Sequence, residues 1–500
     1  MAGERLPGDP SASLTLPIPP AEASGTAAAD SGADLSADVV VVGLGCAGAC
    51  AAIEAAEAGA EVLVLEAAAI GGGTSAMSGG IIYMGGGTPI QNACGFDDTP
   101  EAMEAFLTAA CGPGVNEAKV HEFCRDSVGH FHWLVDHGVP FEPRYHPEHD
   151  REPDDDSGLC YSGGEDSWPF NDIAPPAPRG HHPKFPDAAG GFLMQRLTEA
   201  VRAAGVSVIT DARVDRLAVD KGEVVGVQAT IDGEASTVGA RLGVVLTAGG
   251  FTFNPEMVAQ HCPAVSRVNV PIGTEFDDGA AIRMAQGVGA VATGMAHIEV
   301  GLPLTPPRSL VRGVLVNGKG KRFINEDTYA GRVGKASLLD NDGQMFFIHS
   351  DETFAVNIAG YKPRWVAESA AELEAEMGLP DGSLVDTLER YNSHAQHGED
   401  PEYQKDPEWV IPLEPPFGAV DMTVEGSFYA SFTLGGLQTS ANGSVLDESG
   451  QPVPGLFAAG RTTAGIAGAG YVSGISLADG TYFGRRAGRS AATAGPPARR

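Results

Sequence analysis

Cysteine is scarce in this chain and shows no pairing pattern. There are seven, at positions 46, 50, 94, 111, 124, 160 and 262, with no CxxC and no metal-ligand spacing. This excludes a disulfide framework and a cysteine-ligated metal module, and points to buried free thiols of a reducing cytoplasm. Basic residues are also few: 32 Lys and Arg stand against 65 Asp and Glu, for a formal charge of −33. A surface so acidic excludes nucleic acid and anionic membranes as partners. No run of 18 apolar residues occurs, so no transmembrane segment is expected. Residues 1–36 have neither a basic start nor an apolar h-region. Their Ala, Pro, Ser and Gly content predicts a disordered tail rather than a signal peptide, and hence a cytoplasmic protein.

Glycine, by contrast, is abundant: 67 of 500 residues. It falls in clusters, which mark backbone that turns tightly or lies close to something else. The first cluster is Gly43-Leu44-Gly45-Cys46-Ala47-Gly48, a GxGxxG. It joins the buried strand of Asp38 to Val42 to an alanine-rich helix predicted over 47–58. The next strand ends in Glu66, about 20 residues further on. Each part has a task in binding a dinucleotide. Gly43 permits the turn, Gly45 lets backbone reach the pyrophosphate, and Gly48 lets helix and strand pack. The helix N-terminus faces the phosphate charge, and Glu66 accepts from the ribose hydroxyls.

That motif alone does not separate NAD from FAD. Three further clusters favour the flavin. Gly72, Gly73, Thr74, Ser75, Ser78, Gly79 and Gly80 follow the second strand, Ala248 and Gly249 end a later one, and Gly460 and Arg461 end the last, with Ser476 and Leu477 opening the final helix. Each is placed to lie against a flat cofactor. Other segments read as helices at 99–137 and 191–204, strands at 206–210, 213–219, 223–230 and 236–247, a strand at 313–316 and a helix at 367–377. Residues 143–190, rich in Pro, His, Asp and Gly, read as a long irregular loop. No internal repeat of fixed period occurs.

Together these motifs resemble the superfamily of FAD-dependent fumarate reductases, succinate dehydrogenases and 3-ketosteroid dehydrogenases, over roughly residues 37–490. The resemblance implies an α/β fold: a Rossmann-type FAD-binding domain split in sequence (37–274 and 416–490) around an inserted α+β catalytic or capping domain (275–415). Gly313 to Glu326 looks like the hairpin of that cap. Succinate dehydrogenases attach FAD to a His, and the matching position here is Gly73, which implies non-covalent FAD. Soluble fumarate reductases place one Arg shortly after a Phe-Val-Asn-Glu segment and another before the last helix. Here Tyr329 or Ala330 stands at the first position and Tyr471 at the second, with Ser473 replacing a glycine. In those enzymes the first Arg is the proton donor and the second clamps a carboxylate; here both cations are replaced, which suits a neutral substrate.

Gly470 to Gly474, Glu326 to Tyr329, Ile82 to Thr88 and Tyr161 to Gly164 resemble most the branch of 3-ketosteroid Δ4-(5α)-dehydrogenases. That branch implies a steroid substrate and an electron acceptor beyond FAD. It also implies roles: Tyr471 polarises the C3 ketone, Ser473 takes the C4 proton, Tyr329 relays it toward solvent, and FAD N5 accepts hydride from C5. The chemistry is sound in itself, since an enolate needs a donor at its oxygen and a serine needs a partner that accepts its proton. Three alternatives stay open: Δ1-dehydrogenation of 3-ketosteroids, reduction of an unsaturated acid, and a flavin-binding redox protein without a substrate of its own.

Overall fold

The computed structural model describes residues 24–25, 33–149 and 152–495. Most of the expected tail, 1–23 and 26–32, lies outside the described residues. Within it Ser24–Gly25 pairs with Ala218–Val219, and the first long strand, Leu35–Val42, starts two residues before position 37.

That strand is central to a nine-stranded sheet. Its run of valines is buried on both faces, as expected of a strand flanked by helices. Val62–Leu65 lies parallel on one side, followed by Ser207–Ile209. On the other side lies the long strand Glu234–Leu246, parallel to Leu35–Val42. Its end also pairs with Pro452–Ala458, through Val244 and Leu456. The sheet is thus built from both ends of the chain, the mixed α/β arrangement that the fold reading implied.

Two helices cover one face and carry the site. Cys46–Glu57 follows the glycine loop, and Ile475–Thr493 closes the fold. They pack at backbone distance because the closing helix presents glycines. A Cβ on Gly484 would come 2.4 Å from the Ala47 carbonyl oxygen, and one on Gly488 would come 2.0 Å from that of Ala51. Small residues on both helices therefore set how the segment 471–474, just before the closing helix, sits against the first loop.

The inserted block carries a four-stranded antiparallel sheet, Val314–Asn317, Met345–Ser350, Phe417–Asp421 and Trp365–Ala367. Helices Ala370–Met377 and Ser383–Ala395 cover it through Leu373, Leu384, Leu388 and Tyr391. Phe417–Asp421 lies beyond residue 415, where the proline spacing placed the return to the flavin domain. The insert's sheet runs on to Asp421. A small sheet at its base, Val270–Pro271, Ala430–Thr433 and Ile298–Gly301, faces the flavin domain.

Residues 143–190 are irregular, as expected, but they are no surface loop. Leu159–Cys160 and Gly180–His181 form a small sheet with Ile82–Tyr83. Glu165, Arg179, His181 and His182 are all fully buried there. The segment's polar residues find partners from an earlier stretch of the chain: Arg179 donates to Asp98 at 2.7 and 3.0 Å, and His181 shares a 2.7 Å hydrogen bond with Thr88.

Candidate active site

A cavity of about 900 Å³ opens where the flavin sheet, the closing helix and the base of the insert meet. At one end lies the glycine loop. Gly43 has φ +96°, and a Cβ on Gly48 would come 1.9 Å from the Gly43 carbonyl oxygen, so this turn and this helix approach admit no side chain. Gly45 differs. A Cβ there would meet Ser75 Oγ at 3.5 Å and the Gly72 carbonyl oxygen at 4.0 Å, both ordinary contacts, so its bareness keeps cavity space open rather than relieving a clash. Of the residues expected at the cofactor, all line this cavity except Gly48 and Gly72. Gly48 serves helix packing. Gly72 has φ +123° and donates its N–H to the Leu44 carbonyl at 2.8 Å, fastening one glycine loop to the other. Glu66 lines the cavity while accepting from Leu44 N at 2.6 Å and Ala68 N at 2.8 Å, so it also braces the loop.

Asp277 organises the middle of the cavity, and the sequence reading missed it. Its carboxylate accepts from Gly250 N, Thr274 N, Thr74 Oγ1 and, at 2.7 Å, Arg461 Nη2. Burial pushes its pKa up, but the Arg461 guanidinium and these hydrogen bonds outweigh that and hold it below the usual range. The other Arg461 nitrogen, Nη1, is buried without a hydrogen-bond partner among the described residues. A buried unpaired guanidinium N–H calls for an acceptor, and a cofactor rich in carbonyl and phosphate oxygens supplies one.

Three hydroxyl side chains line the cavity as well. Tyr329, Tyr471 and Ser473 all reach it. The two tyrosine rings lie 6.5 Å apart, tilted by 33°, and Phe432 meets Tyr471 edge-on at 5.5 Å. Burial raises the Tyr471 pKa, only partly offset by hydrogen bonding from Ser476, so its phenol stays protonated and can donate. Ser473 is held by main-chain exchange with the irregular segment: its N–H donates to the Ser162 carbonyl, and Ser162 Oγ donates to the Ser473 carbonyl, both at 3.2 Å. Ser473 is therefore not a helix cap; Gly474 holds that position. The fully buried Glu165 steadies the segment from behind, accepting from Gly163 N at 2.9 Å.

Tyr329 departs from expectation. Its relay role led toward solvent, yet the residue is only 8% exposed and its hydroxyl donates to Glu299 Oε1 at 2.8 Å. Glu299 also lines the cavity and was not foreseen. Two arginines, Arg213 and Arg461, line the cavity as well, and each is bound to an aspartate, Asp278 and Asp277.

A family model for the FAD binding domain matches residues 38–477. The chain belongs to this family. FAD is accordingly the cofactor for which the glycine loops and Arg461 form a fitting cradle. The chain is similar to the crystal structure of 3-ketosteroid-Δ4-(5α)-dehydrogenase from Rhodococcus jostii RHA1 in complex with 4-androstene-3,17-dione, with 47% identity and a TM-score of 0.89 over 93% of this chain and 98% of that one. It is 28% identical to a 3-oxo-5-alpha-steroid 4-dehydrogenase of Comamonas testosteroni, over 85% of this chain and 92% of the relative. It is 27% identical to a cytochrome-type fumarate reductase of Shewanella frigidimarina, over 91% of this chain and 77% of the relative. Among the described residues, no helix is long and apolar enough to cross a membrane.

Proposed function

We propose that this chain is an FAD-dependent dehydrogenase that introduces the C4–C5 double bond into 3-keto-5α-steroids. The observation that carries the reading is that Tyr329, Tyr471 and Ser473 all line the same cavity as the glycine loop, with the two tyrosine rings 6.5 Å apart. The likeness to the Rhodococcus enzyme, at 47% identity, supports it. So does the state of the arginines: Arg213 and Arg461 are each bound to an aspartate, and the one Arg461 nitrogen left over, Nη1, is the donor for the cofactor's oxygens, which leaves the hydroxyls to a ketone rather than a dicarboxylate.

The roles follow from the positions. Tyr471, kept protonated by burial, donates to the C3 ketone and stabilises the enolate. Ser473, pinned by Ser162, accepts the C4 proton as its own passes to Tyr329. Bound FAD supplies the hydride acceptor for C5. Gly45, Glu66, Thr74, Ser75, Ala248, Gly249, Gly460 and Arg461 hold it, with no covalent bond at Gly73.

The test is anaerobic mixing with 5α-androstane-3,17-dione. The flavin absorbance of the native protein bleaches, and 4-androstene-3,17-dione forms. Tyr471→Phe keeps its flavin and loses about 10²–10³-fold in rate, the usual effect of removing one oxyanion donor. A flavin that ignores every 3-keto-5α-steroid overturns the reading.

A further inference from the structure

Beyond these three hydroxyls lies a buried acid–base pair that the roles above leave unused. Glu299 stands on the strand Ile298–Gly301, and the strand and the helix Ala330–Lys335 enclose its carboxylate. It is 3% exposed. Tyr329 donates to it from one end of that helix, and Lys335 faces it from the other. The helix fits only because residue 331 is glycine: a Cβ there would sit 2.0 Å from Glu299 Oε1 and 2.4 Å from the Tyr329 ring. The remaining titratable groups that face Glu299 are Tyr471 and the thiol of Cys111, at the end of the helix Pro100–Cys111. Burial pushes that thiol up to about 12, so it stays neutral.

We propose that Glu299 is the terminal proton acceptor of the site, receiving through Tyr329 the proton removed from the substrate, with Lys335 setting its charge. This rests on the ketosteroid reading and deepens it. The step balances. The C4–H bond breaks, and its electron pair stays on the substrate as the enolate whose oxygen Tyr471 holds. The proton joins Ser473 Oγ as the Ser473 proton moves to Tyr329 Oη, and the Tyr329 proton moves to Glu299 Oε1. The carboxylate becomes a neutral carboxylic acid, the negative charge it gives up appears on the substrate as the enolate, and Ser473 and Tyr329 end as neutral as they began. Tyr329 passes the proton on rather than keeping it, because a neutral phenol that takes a proton at Oη must release its own, and the Glu299 carboxylate is the acceptor within hydrogen-bond reach.

Electrostatics agree with the geometry. Burial raises Glu299 above the usual carboxylate range, only partly offset by Lys335 and by the Tyr329 hydroxyl. Burial likewise lowers Lys335, against the pull of Glu299 and Cys111, while its Nζ bonds the Ala469 carbonyl. An acceptor must be ionised to work. Activity is therefore full above the Glu299 pKa and falls as pH drops through it, at a pH above that of an ordinary glutamate.

Glu299 acts through Tyr329 and is a positioning and relay residue, so the test needs more than a rate. Glu299→Gln keeps the shape and removes the charge. The variant holds FAD and binds 5α-androstane-3,17-dione with nearly unchanged KM. Its kcat falls about 10²-fold or more, the usual worth of a general base, and the acid limb of the kcat–pH profile disappears. Lys335→Met shifts that limb to higher pH. If Glu299→Gln loses its flavin, Tyr329→Phe carries the test: it disconnects the carboxylate and removes the same limb. Full turnover in Glu299→Gln, or a rate loss with the acid limb intact, overturns the proposal. A native flavin that no ketosteroid reduces overturns the substrate reading instead, and is recognised before any variant is made.

Discussion

In the middle of the insert, Arg322 bridges Glu326 and Asp400 at 2.8 Å each, and Lys405 reaches Glu326 at 2.8 Å. In the cavity, Glu299 is as deeply buried, yet its close side-chain partner is the neutral hydroxyl of Tyr329. The two places treat a carboxylate in opposite ways. Burial pushes Glu326 up, but two adjacent cations outweigh it and hold the acid ionised. Burial pushes Glu299 up as well, and one more distant cation does not compensate. A matched cluster locks a fold. A mismatched acid remains ready to exchange a proton, which is why such groups gather where chemistry is done.

Removing the matched cation is the severest way to break this contrast. Arg322→Ala strands Glu326 and Asp400 with Lys405 alone, and is expected to lower the unfolding free energy by about 3–5 kcal/mol. Denaturant titration measures it, and a curve superimposed on the native one would deny the cluster its structural role. Crowding the mismatched acid comes next. Gly331→Ala forces Glu299 and Tyr329 apart, at roughly 1–3 kcal/mol of overpacking. The variant should keep its yellow colour and lose turnover; unchanged kcat would mean that the contact is idle.

The mildest effect concerns Glu165, behind Ser473. Burial raises its pKa from 4.5 to about 7, with Arg179 opposing. A raised acid stabilises the fold fully below its unfolded pKa and loses that contribution as pH climbs toward the folded value. Native stability should therefore decline between 4.5 and 7, by at most roughly 1.4 kcal/mol per pH unit from this group. Glu165→Gln should flatten Tm against pH in that window, and a slope that survives the substitution would assign it to another group.

The flavin half of the site was legible because its determinants are local. A valine run, GxGxxG and a following acid occupy adjacent stretches, and each residue type has one physical reason to be there. Tyr471 and Ser473 were legible through resemblance, as replacements at positions where relatives carry other groups. Glu299 was not. Its setting, Ile298-Glu299-Val300, reads as the polar position of an ordinary strand, and its partner lies 30 residues away on a helix. Asp277 escaped for the same reason, its partners Thr74 and Arg461 coming from distant loops. Residues 143–190 read as irregular and are so, but composition could not show that Arg179 meets Asp98, and His181 meets Thr88, in the interior. Pro415 and Pro416 read as the end of the insert, yet a further strand of its sheet follows them.

The glycine face of the closing helix has a consequence for biosynthesis. Because Gly484 and Gly488 must nest against Ala47 and Ala51, the earliest helix of the domain waits, half-covered, for the last. A nascent chain whose closing helix is not yet made has no finished pocket to offer. Flavin capture is therefore expected to await the closing helix, and a chain shortened before residue 484 is expected to be colourless.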